Sequence, residues 1–125
     1  MNKLVISLGS NSPDRQSQME YAIRHLKSKF LNVMVSSVYE TLATNGKDAP
    51  YFNAVMIAET SLEIKDATLF LKQWEMLCGR TPESKYQGVI PIDLDIVMWN
   101  DDIIKPNDYS YPYFTLGYNQ LLEVM

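Results

Sequence analysis

Apolar residues recur along the chain with two different spacings, and each spacing predicts one kind of element. Runs rich in aliphatic and β-branched residues, bounded by turn-forming residues, predict strands. The predicted strands are Lys3 to Leu8, Val33 to Glu40, Tyr51 to Glu59 and Val89 to Trp99. Apolar positions three and four residues apart predict helices from about Arg15 to Phe30 and from about Ile64 to Cys78.

The predicted order is β-α-β-β-α-β, which is typical of ferredoxin-like α+β folds. In these folds two helices cover one face of an antiparallel sheet. The segment 100–125 is a less regular C-terminal extension, with a turn at Asn100-Asp101-Asp102 and a short helix predicted from Thr115 to Val124. Loops are predicted for Leu42 to Pro50 and Thr81 to Gly88. A chain of 125 residues favours a single domain over residues 1–125.

The periodicity also predicts which side chains of the two helices are buried. The apolar face of the second helix carries Ala67, Phe70, Leu71, Trp74, Leu77 and Cys78. His25 has charged neighbours and is expected to be exposed. Basic side chains elsewhere on the first helix are expected to form a solvated face, and they are Arg15, Arg24, Lys27 and Lys29.

Charge and cysteine content exclude several classes of function. The net charge of −4 argues against non-specific nucleic-acid binding. Residues 1–40 carry five basic and three acidic side chains, whereas residues 41–125 carry six basic and twelve acidic ones. The single cysteine, Cys78, excludes an intrachain disulfide and fits a reducing compartment. The first apolar run is too short for a signal peptide or a membrane span, so we expect a cytoplasmic protein without a membrane partner. The oligomeric state stays open.

Two carboxylates occur two residues apart in the segment Ile92-Asp93-Leu94-Asp95-Ile96. On a strand, Asp93 and Asp95 would project from the same face. Parallel carboxylates repel each other, and a bound divalent cation such as Mg2+ would remove that cost. Taken alone, the motif is equally consistent with a solvated polar face.

Further motifs precede this pair in a defined order. They are Ser7-Leu8-Gly9-Ser10-Asn11, Ser36-Ser37-Val38-Tyr39-Glu40-Thr41, Tyr51-Phe52-Asn53-Ala54-Val55, Glu75 and Gly79-Arg80. In this order and spacing, the chain resembles the 6-hydroxymethyl-7,8-dihydropterin pyrophosphokinases, a family of folate-pathway enzymes. The resemblance runs from about Leu4 to about Leu122, and we expect a short member of the family.

The resemblance implies Mg2+-dependent transfer of pyrophosphate from ATP to 6-hydroxymethyl-7,8-dihydropterin. It implies that Asp93 and Asp95 are the catalytic metal ligands and hold two Mg2+ ions against the ATP phosphates. The positions that match pterin contacts of the family are Thr41, Leu42, Tyr51 and Asn53. A pterin needs an aromatic face and an amide that both donates and accepts hydrogen bonds. The positions that match nucleotide contacts are Glu75, Arg80, Ile96 and Ser110.

The nucleotide side departs from the family pattern. Arginine positions of the family are occupied here by Pro82, Tyr86, Ile90 and Asn119. Three further positions also differ from the family pattern. Gln87 replaces a tryptophan, Tyr113 replaces a histidine, and Leu121 replaces an aromatic residue. Lys85 and Lys105 are candidate replacements for the missing positive charge.

These departures leave three hypotheses open. The first is an active pyrophosphokinase, and the second is a catalytically weakened pterin-binding relative. The third is an interaction module without small-molecule chemistry. The C-terminal aromatic residues either replace lost stacking surfaces or cover one end of the sheet, and they are Tyr109, Tyr111, Tyr113 and Phe114.

Overall fold

The computed structural model describes residues 1–125 and contains six strands and five helices. The strands are β1 (Asn2–Ser10), β2 (Leu31–Val35), β3 (Tyr39–Thr41), β4 (Tyr51–Thr60), β5 (Asp93–Trp99) and β6 (Asp102–Ile103). The helices are α1 (Arg15–Lys29), α2 (Ile64–Leu77), α3 (Ser84–Gln87), α4 (Pro106–Ser110) and α5 (Pro112–Val124). The strands form one antiparallel sheet in the order β2-β4-β1-β5-β6, and β3 pairs with β4.

One face of the sheet is covered by α1 and α2, as the β-α-β-β-α-β pattern predicts. Alternate residues of β1, which are Leu4, Ile6 and Leu8, point to this face and are fully buried. They pack against Leu26 of α1 and Leu71 of α2. The predicted α+β fold is therefore confirmed.

The opposite face of the sheet is partly covered by α5. Phe114 and Leu121 of this helix pack on Val5, Val55 and Val97 of the three central strands. The helix begins at Pro112, three residues before the predicted start, because proline is well accommodated in the first turn of a helix. The C-terminal segment therefore adds a layer to the fold, which the prediction of a short extension did not include.

Two predicted strands differ from the observed ones. The strand predicted from Val33 to Glu40 is split into β2 and β3, because Ser36 Oγ accepts the hydrogen bond of Val55 N and interrupts the ladder. The strand predicted from Val89 begins only at Asp93. Before it, Ile90 exchanges hydrogen bonds with Asn11 instead of with a neighbouring strand. The predicted loop 81–88 contains the short α3, and the turn at residues 100–101 leads into β6.

Three predictions of side-chain burial were wrong. Leu77 is 79% exposed because it lies at the end of α2, past the edge of the core. His25 is half-buried, and its ring stacks on Trp74 with a centroid distance of 3.9 Å. The Arg15 guanidinium lies 3.7 Å from the Phe52 ring centroid and donates to Pro50 O, so it packs on the protein. No helix of the fold has the length and apolar character that crossing a bilayer requires.

Candidate active site

The predicted pterin contacts and the carboxylate pair meet at one end of the sheet, on the face that carries α5. In the register of the strands, Asp93 of β5 pairs with Gly9 of β1, Gly9 with Asn53 of β4, and Asn53 with Tyr39 of β3. These residues form a row across four strands. In the next row, Asp95 pairs with Ser7. Because α5 packs on Val55 in this second row and on Val5 in the row beyond it, the first row is left open.

A cavity of about 150 Å³ lies over this row. It is lined by Ser7, Leu8, Gly9, Thr41, Leu42, Thr44, Tyr51, Asn53, Asp93 and Tyr113. A cavity of this size accommodates a small planar ring. A Cβ atom at Gly9 would lie 3.5 Å from both Asn53 Oδ1 and Tyr51 Cδ2, so a larger side chain would project into the cavity. All four residues predicted to contact the pterin, together with Asp93, therefore line one cavity.

The amide of Asn53 is held in a single orientation. Its Nδ2 donates hydrogen bonds to Thr41 Oγ1 at 2.7 Å and to Tyr39 O at 3.3 Å. Its Oδ1 faces the position where a Gly9 side chain would stand. We expected this amide both to donate to and to accept from a ligand. The structure commits the donor to the protein and leaves the oxygen as an acceptor for a ligand N–H group.

Tyr51, Leu42 and Tyr113 form the walls of the cavity. Burial, followed by the nearby charge of Asp93, raises the pKa of the Tyr51 phenol, so this side chain stays neutral. Leu42 is 80% exposed at the mouth. Tyr113 stacks on Tyr111 and donates a hydrogen bond to Asp108, which fixes its ring.

Asp93 and Asp95 are each paired with basic side chains. Asp93 Oδ1 accepts a hydrogen bond from Arg80 Nη1 at 2.7 Å. Asp95 Oδ1 accepts from Lys105 Nζ at 2.9 Å and from Lys72 Nζ at 3.2 Å. Lys105, a candidate replacement for the missing positive charge, therefore lies at the site with a carboxylate as its partner, and its contact with a nucleotide stays a prediction. Lys85 lies on α3 and forms no ion pair.

The two carboxyl groups titrate very differently. Burial and the neighbouring charge of Asp95 raise the pKa of Asp93 to about 6. Burial also opposes ionisation of Asp95, but Lys72 and Lys105 outweigh it and lower the pKa of that carboxyl. Asp93 therefore takes up a proton at a higher pH than Asp95 does.

Glu75 supports this arrangement from α2. Its side chain is only 6% exposed, so it is not an ordinary solvated carboxylate of a helix surface. Its Oε2 accepts from Leu94 N at 2.7 Å and from Lys72 Nζ at 3.0 Å, and its Oε1 lies 3.3 Å from Arg80 Nη1. Glu75 therefore joins the free edge of β5 to α2 and positions two of the basic groups.

Lys72 is the site residue that sequence analysis missed. Its Nζ contacts Asp95 Oδ1, Glu75 Oε2 and, at 2.8 Å, Leu94 O. The signal was its spacing of three residues from Glu75, which places the two side chains on one face of a helix. Thr44 also lines the cavity without having been singled out, whereas Ser7 belongs to the first of the sequence motifs.

Two predicted nucleotide contacts lie apart from these groups. The side chain of Ile96 is buried in the core beneath α1 and α2, because it alternates with Asp93 and Asp95 along β5. Only its backbone is therefore left to contact a nucleotide. Ser110 is exposed at the end of α4, where its Oγ donates to Asn107 O.

The chemistry of this site fits a hard divalent cation. Asp93 and Asp95 supply two carboxylates, and their hydrogen bonds to basic groups end on Oδ1. No group of three or more His, Cys, Asp or Glu side chains is arranged as a metal site. Further ligands would have to be water or substrate oxygens, which is the coordination that Mg2+ prefers beside phosphates.

Comparisons with known proteins agree with these features. Residues 5–123 match the family model of 7,8-dihydro-6-hydroxymethylpterin-pyrophosphokinase. The chain is 34% identical over 115 residues to the 2-amino-4-hydroxy-6-hydroxymethyldihydropteridine pyrophosphokinase of Aquifex aeolicus, an alignment that covers 90% of this chain and 71% of that protein. It is 32% identical over 129 residues to the folate synthesis bifunctional protein of Chlamydia trachomatis, covering 98% of this chain and 28% of that protein. It is 31% identical over 113 residues to the mitochondrial folate synthesis bifunctional protein of Pisum sativum. That alignment covers 89% of this chain and 22% of that protein.

Proposed function

The chain belongs to the 7,8-dihydro-6-hydroxymethylpterin-pyrophosphokinase family, and we propose that it transfers pyrophosphate from ATP to 6-hydroxymethyl-7,8-dihydropterin with Mg2+ bound at Asp93 and Asp95. The resemblance noted in the sequence is thereby confirmed, and the protein is a pyrophosphokinase of folate synthesis. The family assignment leaves no reason for the third hypothesis, an interaction module without small-molecule chemistry. The single cysteine and the family assignment support the cytoplasmic location that we propose.

One observation carries the proposal. The cavity that holds Tyr51 and Asn53 also contains Asp93 in its wall. A pterin seated in this cavity would present its hydroxymethyl group close to the carboxylate pair. Holding the attacking hydroxyl beside the phosphate site lowers the entropic part of the barrier.

The residues of the cavity divide the recognition of the pterin between them. Tyr51 offers the face of its ring for stacking, and Asn53 Oδ1 accepts a hydrogen bond from an N–H group of the pterin edge. Thr41 acts through Asn53, since its hydroxyl accepts the amide hydrogen bond. Leu42 closes the mouth of the cavity with an apolar side chain.

Asp93, Asp95 and Arg80 are the groups that would act on the triphosphate of ATP. Asp93 and Asp95 would hold Mg2+, two ions by analogy with the family, and would fix its position. The bound metal would supply positive charge that neutralises the phosphate oxygens. Arg80 is anchored by Asp93, by Glu75 and by Ile92 O, so its guanidinium is oriented before a nucleotide arrives.

Release of AMP from ATP, measured with and without the pterin in the presence of Mg2+, tests the proposal. Asp95→Ala should lower pterin-dependent AMP release by a factor on the order of 10²–10³, whereas Asp101→Ala, a change at an exposed acid outside the cavity, should not. Absence of AMP together with calorimetric pterin binding would favour the weakened pterin-binding relative. Absence of both would contradict the assignment of the cavity.

A further inference from the structure

Two lysines from different parts of the fold converge on one carboxylate oxygen. Lys72 extends from α2 and Lys105 from the segment between β6 and α4, and their Nζ atoms lie 3.2 Å and 2.9 Å from Asp95 Oδ1. The same oxygen belongs to the carboxylate pair that we assign to Mg2+. A dication at this pair and two ammonium groups on the same oxygen repel each other.

The two lysines have room to change partners. Their side chains are 40% and 45% exposed, respectively, so part of each is already in contact with solvent. Lys72 keeps Glu75 Oε2 and Leu94 O as partners when Asp95 is taken away. Lys105 has Asp95 as its ion-pair partner, so it would be released entirely.

The charges of the cluster indicate what the two lysines bind once they leave Asp95. Three acidic side chains, Asp93, Asp95 and Glu75, balance three basic ones, Lys72, Arg80 and Lys105. A bound dication would leave an excess of positive charge, and a polyphosphate is an anion able to offset it. This excess lies beside the carboxylate pair, where the phosphates are expected.

We propose that Lys72 and Lys105 exchange partners during binding: they neutralise Asp95 in the free protein and bind nucleotide phosphate oxygens once a divalent cation occupies the carboxylates. The inference rests on the proposed function, because it takes the carboxylate pair as the metal site. Its consequence is that cation and polyphosphate bind cooperatively. The cation alone must displace the lysines without offering them a new anion.

The test measures the binding of Mn2+ alone and of a non-hydrolysable ATP analogue with Mg2+, both without pterin. Lys105→Met removes the charge but keeps an unbranched apolar side chain. It should tighten Mn2+ binding several-fold and weaken binding of the analogue about tenfold, the loss expected for one charge-assisted hydrogen bond. Lys72→Met should likewise tighten binding of Mn2+ and weaken binding of the analogue. Lys65→Met, at an exposed lysine of α2 without an ion pair, is the matched control and should change neither.

Opposite changes in the two affinities are the diagnostic result. A purely structural role would weaken both, and that outcome would overturn the proposal, as would unchanged Mn2+ binding. Lys105→Arg keeps the charge and should restore binding of the analogue, and failure to do so would also count against the exchange. Because no pterin is present, these results are independent of the AMP assay. An enzyme that fails in that assay can still show the exchange.

Discussion

Asn53 Nδ2 donates a 2.7 Å hydrogen bond to Thr41 Oγ1, and this bond determines which end of the amide faces the cavity. The two side chains lie on adjacent strands, β4 and β3, so the sheet itself fixes their separation. The Asn53 residue is 3% exposed, which leaves little room for another orientation. Thr41 therefore acts on a ligand through Asn53.

Thr41→Val should weaken pterin binding while leaving the fold intact. The valine matches threonine in shape but removes the acceptor, so the Asn53 amide loses its strongest anchor. We expect a loss of about tenfold in pterin affinity, the equivalent of one hydrogen bond, measured by calorimetry. Thr41→Ser retains the hydroxyl and should bind like the native protein. Equal losses in both variants would show that the hydrogen bond between Thr41 and Asn53 does not determine the pterin affinity.

Glu75→Gln should destabilise the fold even though it removes only one charge. The buried carboxylate accepts from Leu94 N and compensates Lys72 and Arg80, and the neutral amide cannot offset both cations. We expect the free energy of unfolding in denaturant to fall by about 1–3 kcal/mol. Glu123→Gln, at an exposed position of α5, is the control and should have almost no effect. A loss below about 0.5 kcal/mol would mean that this site is no more critical than an ordinary surface position.

Much of the site followed from local pattern, because it is built on strands. The alternation along β5 was enough to place Asp93 and Asp95 on one face, and the same rule placed Tyr51 beside Asn53. Strand alternation equally implied that Ile96 points to the core, a consequence that the family resemblance obscured. These predictions needed only residues that lie within five positions of one another in the sequence.

The parts that could not be predicted depend on packing between distant elements. The contact of Lys72 with Asp95 requires α2 to lie alongside the free edge of β5, which no local pattern specifies. The covering of the second sheet face by α5 depends on the path of the chain after β6. Phe114 and Leu121 lie seven residues apart on the buried side of that helix, which predicts a helix but not the face on which it packs.

Gly117→Ala should destabilise the contact between α5 and the sheet. A Cβ at this position would lie 2.8 Å from Tyr39 Oη and from Val55 Cγ2 and 2.9 Å from Ser36 Oγ. Alanine favours the helix by about 1 kcal/mol, but overpacking of this kind costs about 1–3 kcal/mol. We therefore expect a net loss in thermal stability.

Pterin binding should also weaken in Gly117→Ala, because Tyr39 holds the backbone of Tyr113 in the cavity wall through its hydrogen bond to Tyr113 O. Thr115→Ala, in the same helix but outside this close approach, is the comparison variant for both measurements. A Gly117→Ala protein that is as stable as the native one, with unchanged pterin affinity, would show that α5 can shift without affecting the cavity.

As the pH rises from about 4 to above 6, the metal-free native protein should lose stability relative to the Asp93→Asn variant. Burial and the charge of Asp95 raise the pKa of Asp93 from 3.8 to about 6, so the folded protein holds a proton that the unfolded chain has already released. The unfolded state binds fewer protons in this window, and the free energy of unfolding therefore falls with rising pH. Despite its burial, Lys72 and Lys105 lower the pKa of Asp95, so this carboxyl titrates below the window in the native protein.

Denaturant unfolding at several pH values, in the presence of a chelator, measures the difference between the two proteins. That difference should be most favourable to the native protein near pH 4 and should shift towards the asparagine variant by pH 7. Asparagine cannot lose a proton, so it does not incur the cost of placing a second negative charge beside Asp95. A difference that is constant with pH would mean that the ion pair with Arg80 already keeps Asp93 ionised throughout the range.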